Sequence, residues 1–384
     1  MLVEMVDLLR AWVEHESPSL EPERARALAA RVAEAFVAEG CRATPHAAAL
    51  QLDYPGGEAA PVLVLGHLDT VYPAGTLVGA GPSALTPRRG DSPPRAPLAA
   101  AMPFRVDEAH AYGPGVYDMK GGIVAALFAL RQLRARQAAH PPVTFLWVFD
   151  EETGSHASRA VTERLAQSAQ AALVLEPGAE PDGALKLARK GIALYTLAAH
   201  GVAAHAGLNF EAGASAIAEL AVRVAEITSW ADSGRGLTVN CGLIRGGSRV
   251  NVVAAEAAAD FEVRAWERTT LESVDHRLRQ LKPSNPKVRL ELTGGINRPP
   301  MEPSAASERL AALAEQSAAQ LGLTLGRART GGGSDGNFTA ALGVPTLDGL
   351  GMVGGGAHSP TEHIRLDCLE PRAALLASLL QSLA

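Results

Sequence analysis

The chain has 384 residues, 47% of them apolar and 20% charged, which excludes a disordered protein and leaves ample material for a core. With 35 basic and 41 acidic residues the net charge is −6, which weighs against nucleic acid or an anionic membrane as the main partner. Three cysteines at distant positions, Cys41, Cys241 and Cys368, imply neither a disulfide framework nor a cysteine-based zinc site.

The opening MLVEMVDLLRAWVEHE carries acidic residues inside an apolar stripe and reads as an amphipathic helix over 2–15, not as a signal peptide. A second helix follows over 22–39. PVLVLGH (61–67) is a short apolar run of buried-strand type. Residues 78–102, rich in proline and without period, read as a surface loop. GGIVAALFALRQL (121–133) is a helix. PVTFLWVFDEE (142–152) and AALVLEP (171–177) are two more buried strands. Strands separated by helices predict a mostly parallel α/β sheet. From 187 to 297 the pattern becomes strand, helix, strand, strand, helix, strand, with half-exposed strands at 236–247 and 256–266. A helix over 309–322, a glycine-rich loop, a strand and a final helix close the chain. The simplest organisation is an α/β domain (1–186 and 298–384) interrupted by a smaller α+β domain (187–297). No stretch is a good membrane span, and a cytoplasmic location is expected.

Polar residues cluster where these apolar strands end. In open α/β sheets the ligand crevice lies at the carboxyl ends of the strands. VLVLGHLDT ends in His67 and Asp69, TFLWVFDEE in Asp150, Glu151 and Glu152, and ALVLEP in Glu176. An aspartate two residues from a histidine can accept the second N–H of a metal-bound imidazole. Adjacent glutamates at a strand end project to opposite sides, so one can hold a metal while its neighbour handles a proton. Each pair alone has an ordinary reading as a hydrogen-bonded or solvated turn. Asp118 lies in YGPGVYDMKGG, whose glycines lack the dinucleotide-binding spacing, and His358 follows three glycines in GMVGGGAHSP. Together His67, Asp118, Glu152, Glu176 and His358 offer two imidazoles and three carboxylates. If Asp118 is shared, each of two divalent cations receives one histidine, one private carboxylate and the shared one. Two such cations are neutralised by three carboxylates and a hydroxide, which suits a two-metal hydrolytic site. The donor set favours Zn²⁺, with Co²⁺ or Mn²⁺ as alternatives.

The segments GHLDTV (66–71), YGPGVYDMKGG (112–122), DEETGS (150–155), LEP (175–177), AHAG (204–207), RVN (249–251), RTGGGSDGN (329–337) and GAHS (356–359) resemble, in order, those of the co-catalytic zinc peptidases. That family includes glutamate carboxypeptidases, acetylornithine deacetylases, succinyl-diaminopimelate desuccinylases, aminoacylases and dipeptidases. The resemblance implies a catalytic domain with an inserted lid through which members dimerise. It implies two Zn²⁺ per chain, one on His67, Asp118 and Glu176 and the other on Asp118, Glu152 and His358. Glu151 is then the general base, Asp69 orients His67, and the Asp118–Met119 peptide is cis. His205 is expected to polarise the scissile carbonyl, from the partner subunit in dimeric relatives. Asn251, Arg264 and Arg298 are expected to hold a substrate carboxylate. Met119 stands where many relatives have a second aspartate.

The resemblance is strongest to the glutamate carboxypeptidase branch. It implies a metallocarboxypeptidase cleaving the amide bond to a C-terminal amino acid of a small molecule or short peptide, with glutamate-type substrates favoured. An N-acyl amino acid deacylase or a dipeptidase is the alternative. A non-catalytic dimeric binding module is the alternative of another class, and retention of all five ligands and of Glu151 weighs against it.

Overall fold

The computed structural model describes residues 1–79 and 101–384, so most of the stretch read as a surface loop over 78–102 lies outside the described residues. The chain divides into two compact units. One comprises Met1–Leu187, Pro303–Thr330 and Ser334–Ala384; the other comprises Ala188–Glu302 with Gly331–Gly333.

The larger unit is built on a six-stranded sheet in the order Arg42–Pro45, Ala49–Tyr54, Val143–Val148, Val62–His67, Ala171–Val174, Thr346–Leu347. The last four strands are parallel, while Arg42–Pro45 and Ala49–Tyr54 form an antiparallel hairpin on one edge. The sequence pattern does not predict that hairpin. Its strands are short and carry polar or proline residues, so they lack the continuous apolar run that marks the central strands. Val62–His67 is buried at every position, as expected of a strand covered on both faces.

Pro22–Ala38 and Gly121–Arg136 pack with Val62, Val64, Phe145 and Trp147 on one face of the sheet, and Arg159–Ala166 packs through Ala166 with Leu63, Leu65, Leu146 and Val148 on the other. Pro22–Ala38 starts on proline, whose fixed φ suits the first helical turn, and turns Leu28, Val32 and Phe36 inward. Phe36 packs edge-on against Phe145 and Trp147, at centroid distances of 5.1 and 5.8 Å. Gly121–Arg136 is buried along most of its length, Gly121 to Leu130 without a break. It therefore shows little amphipathic stripe, as befits a helix covered on all sides. A small antiparallel sheet of Arg105–Val106, His110–Tyr112, His363–Arg365 and Gly354–Gly355 lies in the same unit.

The smaller unit runs strand, helix, strand, strand, helix, strand. Its antiparallel sheet has the order Thr238–Gly246, Glu256–Ala265, Gly191–His200, Arg289–Arg298. Burial alternates along Gly191–His200 and Glu256–Ala265, so one face is apolar. Tyr195, Leu197, Phe261 and Val263 meet Leu220 of Ala216–Thr228 and Leu271 of Arg268–Arg279 in a separate core. Among the described residues no helix is long and apolar enough to cross a membrane.

Candidate metal centre

Three adjacent parallel strands bring their carboxyl ends together. His67 is the last residue of Val62–His67 and lies opposite Val148, while Leu65 lies opposite Val174. The turns after Val148 and Val174 therefore reach the same edge, with Glu151, Glu152 and Glu176 on them. Glu151 and Glu152 do not continue the strand to 152, as the sequence reading had it. They lie in a tight turn, Glu151–Thr153, closed by Gly154 at φ 101°. The cause is Asp69: its buried carboxylate accepts the amides of Glu151 (3.3 Å) and Glu152 (3.2 Å) and bends the chain.

Asp118 is presented by the loop before Gly121–Arg136, with a cis Asp118–Met119 peptide. Gly115, at φ 77°, is required there, because a Cβ would come within 2.7 Å of the Thr70 methyl. His358, also at positive φ (60°), comes from the loop after Gly354–Gly355.

Asp118 faces two imidazoles with its two oxygens. Oδ1 lies 2.9 Å from His67 Nε2, and Oδ2 lies 3.3 Å from His358 Nε2. His67 Nε2 is also 3.6 Å from Glu176 Oε1, and His358 Nε2 is 3.1 Å from Glu152 Oε1. The Glu151 carboxylate joins them, within 4.8 Å of donor atoms of His67 and Glu176. The five side chains His67, Asp118, Glu152, Glu176 and His358 thus share one cluster.

The tautomer of His67 follows from its second nitrogen. Nδ1 is 2.9 Å from the Asp69 carbonyl oxygen, which only accepts, so Nδ1 carries the hydrogen and Nε2 faces the carboxylates. The Asp69 carboxylate is farther away, at 3.6 Å. The backbone of Asp69 thus orients the ring, while its side chain holds the glutamate turn.

Charge in the cluster is strongly coupled. Burial alone would lower the His67 imidazole, yet the hydrogen bond and charge of Asp118, with Asp69 and Glu151, raise it well above its ordinary value. His358 is raised to about 10 by its hydrogen bonds to Asp118 and Glu152. Burial would raise the Asp118 carboxyl, but the hydrogen bonds and charges of His358 and His67 hold it well below the carboxylate range. Burial lifts Asp69 to about 6. The two imidazole shifts share one origin, a field of carboxylates that favours positive charge between them, whereas the Asp69 shift comes from burial. The geometry fits cations too. Ligand atoms on one tetrahedral zinc are about 3.3 Å apart, given bonds of about 2.0–2.1 Å. The four nitrogen–oxygen separations here, 2.9 to 3.6 Å, bracket that value.

Two buried residues that the sequence reading passed over support the loop carrying Asp118. Glu362, 1% exposed, accepts the amides of Gly115, Tyr117 and Asp118. The Lys120 ammonium, buried and lowered to about 7 by that burial, donates to the Trp12 and His15 carbonyls. Position gave a signal for both: Lys120 follows Asp118 by two residues and Glu362 follows His358 by four.

The remaining predicted residues lie in the smaller unit, as two pairs. His205 is exposed and pairs with Val252 next to Asn251, whose carbonyl accepts the Ala206 amide at 3.0 Å. Arg264 and Arg298 lie opposite Ile192 on the two strands flanking Gly191–His200. Arg264 forks onto Glu262 (2.8 and 3.0 Å) and donates to the Gly331 carbonyl (2.8 Å). Arg298 is buried, and a Cβ on Gly333 would touch its Cδ at 2.9 Å.

Comparison with known proteins agrees with this architecture. The chain is 30% identical to carboxypeptidase G2 of Pseudomonas sp. (strain RS-16) over 329 residues, 84% of this chain and 74% of that protein. It is 29% identical to the succinyl-diaminopimelate desuccinylase of Methylococcus capsulatus (strain ATCC 33009 / NCIMB 11132 / Bath) over 343 residues, 85% of each. A dinuclear metal-binding peptidase of Bacillus subtilis shares the fold, with a TM-score of 0.69 at 15% identity over 99% of this chain and 97% of that one. The sequence profile of peptidase family M20/M25/M40 matches residues 63–382, and the chain belongs to this family of metallopeptidases.

Proposed function

We propose that the chain is a two-metal carboxypeptidase that hydrolyses the amide bond to a C-terminal amino acid, with glutamate-type substrates favoured. One observation carries the two-metal reading: the oxygens of Asp118 face two separate imidazoles, each with its own second carboxylate. His67, Asp118 and Glu176 would hold one ion and Asp118, Glu152 and His358 the other. Zn²⁺ suits this donor set, with Co²⁺ or Mn²⁺ as substitutes. Bound there, the cations supply Lewis acidity to water and to the scissile carbonyl at neutral pH.

The protein's own groups do the rest. Glu151 takes a proton from the attacking water and passes it to the leaving amine. Asp69 sets the Glu151–Glu152 turn through two amides and so aims the base. His205 has a defined tautomer: its Nδ1 accepts the amides of Gly207 (3.1 Å) and Leu208 (3.2 Å), so Nε2 carries the proton. That N–H is suited to donate to the developing oxyanion. Asn251, Arg264 and Arg298 would hold the substrate carboxylate, with Arg264 exchanging Glu262 for it.

The two pairs in the smaller unit support a homodimer. Arg264 and Arg298 flank residue 192, while His205 lies beyond His200 at the other end of the same strand, roughly 25 Å away at about 3.3 Å per residue. A single copy of that unit cannot bring both pairs to one scissile bond. In a dimer, one copy supplies the arginines and its partner supplies His205 and Asn251.

The similarity to carboxypeptidase G2 supports the carboxypeptidase reading. The similarity to a succinyl-diaminopimelate desuccinylase favours a second one, an N-acyl amino acid deacylase. A release assay over N-acyl-glutamates, folate-type conjugates, other N-acyl amino acids and simple dipeptides separates them. Preference for a C-terminal glutamate whatever the acyl group supports the first. Preference set by the acyl group supports the second. Absence of chelator-sensitive hydrolysis across the panel contradicts both.

A further inference from the structure

Glu362 is among the most buried carboxylates of the larger unit, 1% exposed, and it holds backbone. Its Oε1 accepts the amides of Tyr117 (2.9 Å) and Asp118 (3.0 Å), and its Oε2 accepts the amide of Gly115 (3.0 Å). Its own carbonyl takes the Gly113 amide at 3.3 Å. The residue after it, His363, pairs with Tyr112 at the end of His110–Tyr112. The ladder therefore seats Glu362 directly under the 113–118 loop. A carboxylate accepting three amides fixes all three peptide planes, a constraint no neutral side chain of that size reproduces, because each oxygen must act as acceptor.

The loop so held is the one that aims Asp118. Four residues before Glu362, His358 meets Asp118 from the other side, at Oδ2. One segment thus grips Asp118 twice, by its backbone amide and by its carboxylate. We propose that Glu362 is a positioning residue of the metal centre: its clamp on the 115–118 amides sets the direction of the shared Asp118 carboxylate and thereby the affinity for both cations. This inference rests on the reading of Asp118 as the bridging ligand.

The test is zinc titration of metal-free protein against a chromophoric chelator, with the absorption spectrum of the Co²⁺ form as a second readout. Glu362→Gln keeps size and shape but turns one acceptor into a donor facing an amide. It should weaken Zn²⁺ binding by about 10- to 100-fold, the usual scale for outer-shell partners, and should alter the Co²⁺ spectrum. Glu362→Asp restores the charge at shorter reach and should fall between wild type and Glu362→Gln. It also serves as the reporting variant should Glu362→Gln not fold. Glu219→Gln is the control. Glu219, 4% exposed in the smaller unit, likewise accepts two amides, Ser284 (2.9 Å) and Asn285 (3.0 Å), and its loss should leave both readouts unchanged. Wild-type affinity and spectrum in both Glu362 variants, or equal weakening in Glu219→Gln, overturns the positioning role. Failure of the wild-type protein to bind Zn²⁺ overturns the metal centre itself, a distinguishable result.

Discussion

Asp118 and Glu151 carry the most specific expectations at the scale of single residues, because each has a proposed role that no neighbour duplicates. Glu151→Gln keeps the side chain's size but removes the proposed base. It should retain metal and lower kcat by about 10²- to 10⁴-fold, checked by steady-state kinetics beside elemental analysis. Loss of metal together with activity would make Glu151 a ligand instead. His205→Ala should lower kcat by roughly 10²- to 10³-fold if it removes the proposed oxyanion donor, with zinc titration unchanged. The thiols give an independent check on burial. Cys41 and Cys368 are buried, and burial pushes the Cys41 thiol up to about 12. At pH 8 the reactive thiolate of Cys41 is therefore scarce, so a disulfide-exchange reagent should reach Cys241 well before the other two, and all three after denaturation. The seven residues of the candidate cluster and its turn stand out in sequence because each ends or follows an apolar strand or sits in a glycine-marked motif. Nearness to His358 marks Glu362 in the sequence, but its role as an acceptor is not legible there, because its partners are backbone amides more than 240 residues away.

Elements position these residues through close backbone approach. Gly122 opens the buried helix Gly121–Arg136, and a Cβ there would lie 2.6 Å from the Leu175 carbonyl, beside Glu176. Gly122→Ala should therefore destabilise by about 1–3 kcal/mol, measured as a lower denaturant midpoint, although alanine is the better helix former. An unchanged or higher midpoint would show that the helix does not press on that strand end. At this scale the sequence was uneven. Buried strands and amphipathic helices announced themselves by continuous or periodic apolar residues. The edge hairpin of Arg42–Pro45 and Ala49–Tyr54 did not, and neither did the end of Val143–Val148, where apolar Phe149 and three acidic residues looked like more strand. There the tertiary contact with Asp69, not local preference, sets the turn.

Among the described residues each of the two units has its own buried apolar core, and the proposed site is one that a single copy of the smaller unit cannot complete. The proposed dimer predicts a solution mass near twice the 39.9 kDa of the chain by light scattering. It also predicts complementation: mixing inactive Glu151→Gln and inactive His205→Ala copies should restore part of the activity, since a mixed dimer holds one site with both residues intact. A monomer of full activity would contradict the shared-site arrangement. The change of pattern at residue 187 foretold the second unit, since parallel strands buried on both faces give way there to half-exposed antiparallel ones. The sequence reading assigned the glycines at 331–333 to the larger domain, whereas they belong to the smaller unit, where Arg189 and Arg264 hold their carbonyls. The central claim, that five side chains hold two cations through one shared aspartate, is tested most directly by elemental analysis of the purified chain beside its Asp118→Ala variant. The account predicts about two divalent ions per wild-type chain and loss of both in the variant. A wild-type chain with no bound metal, or a variant that keeps its full complement, would contradict it.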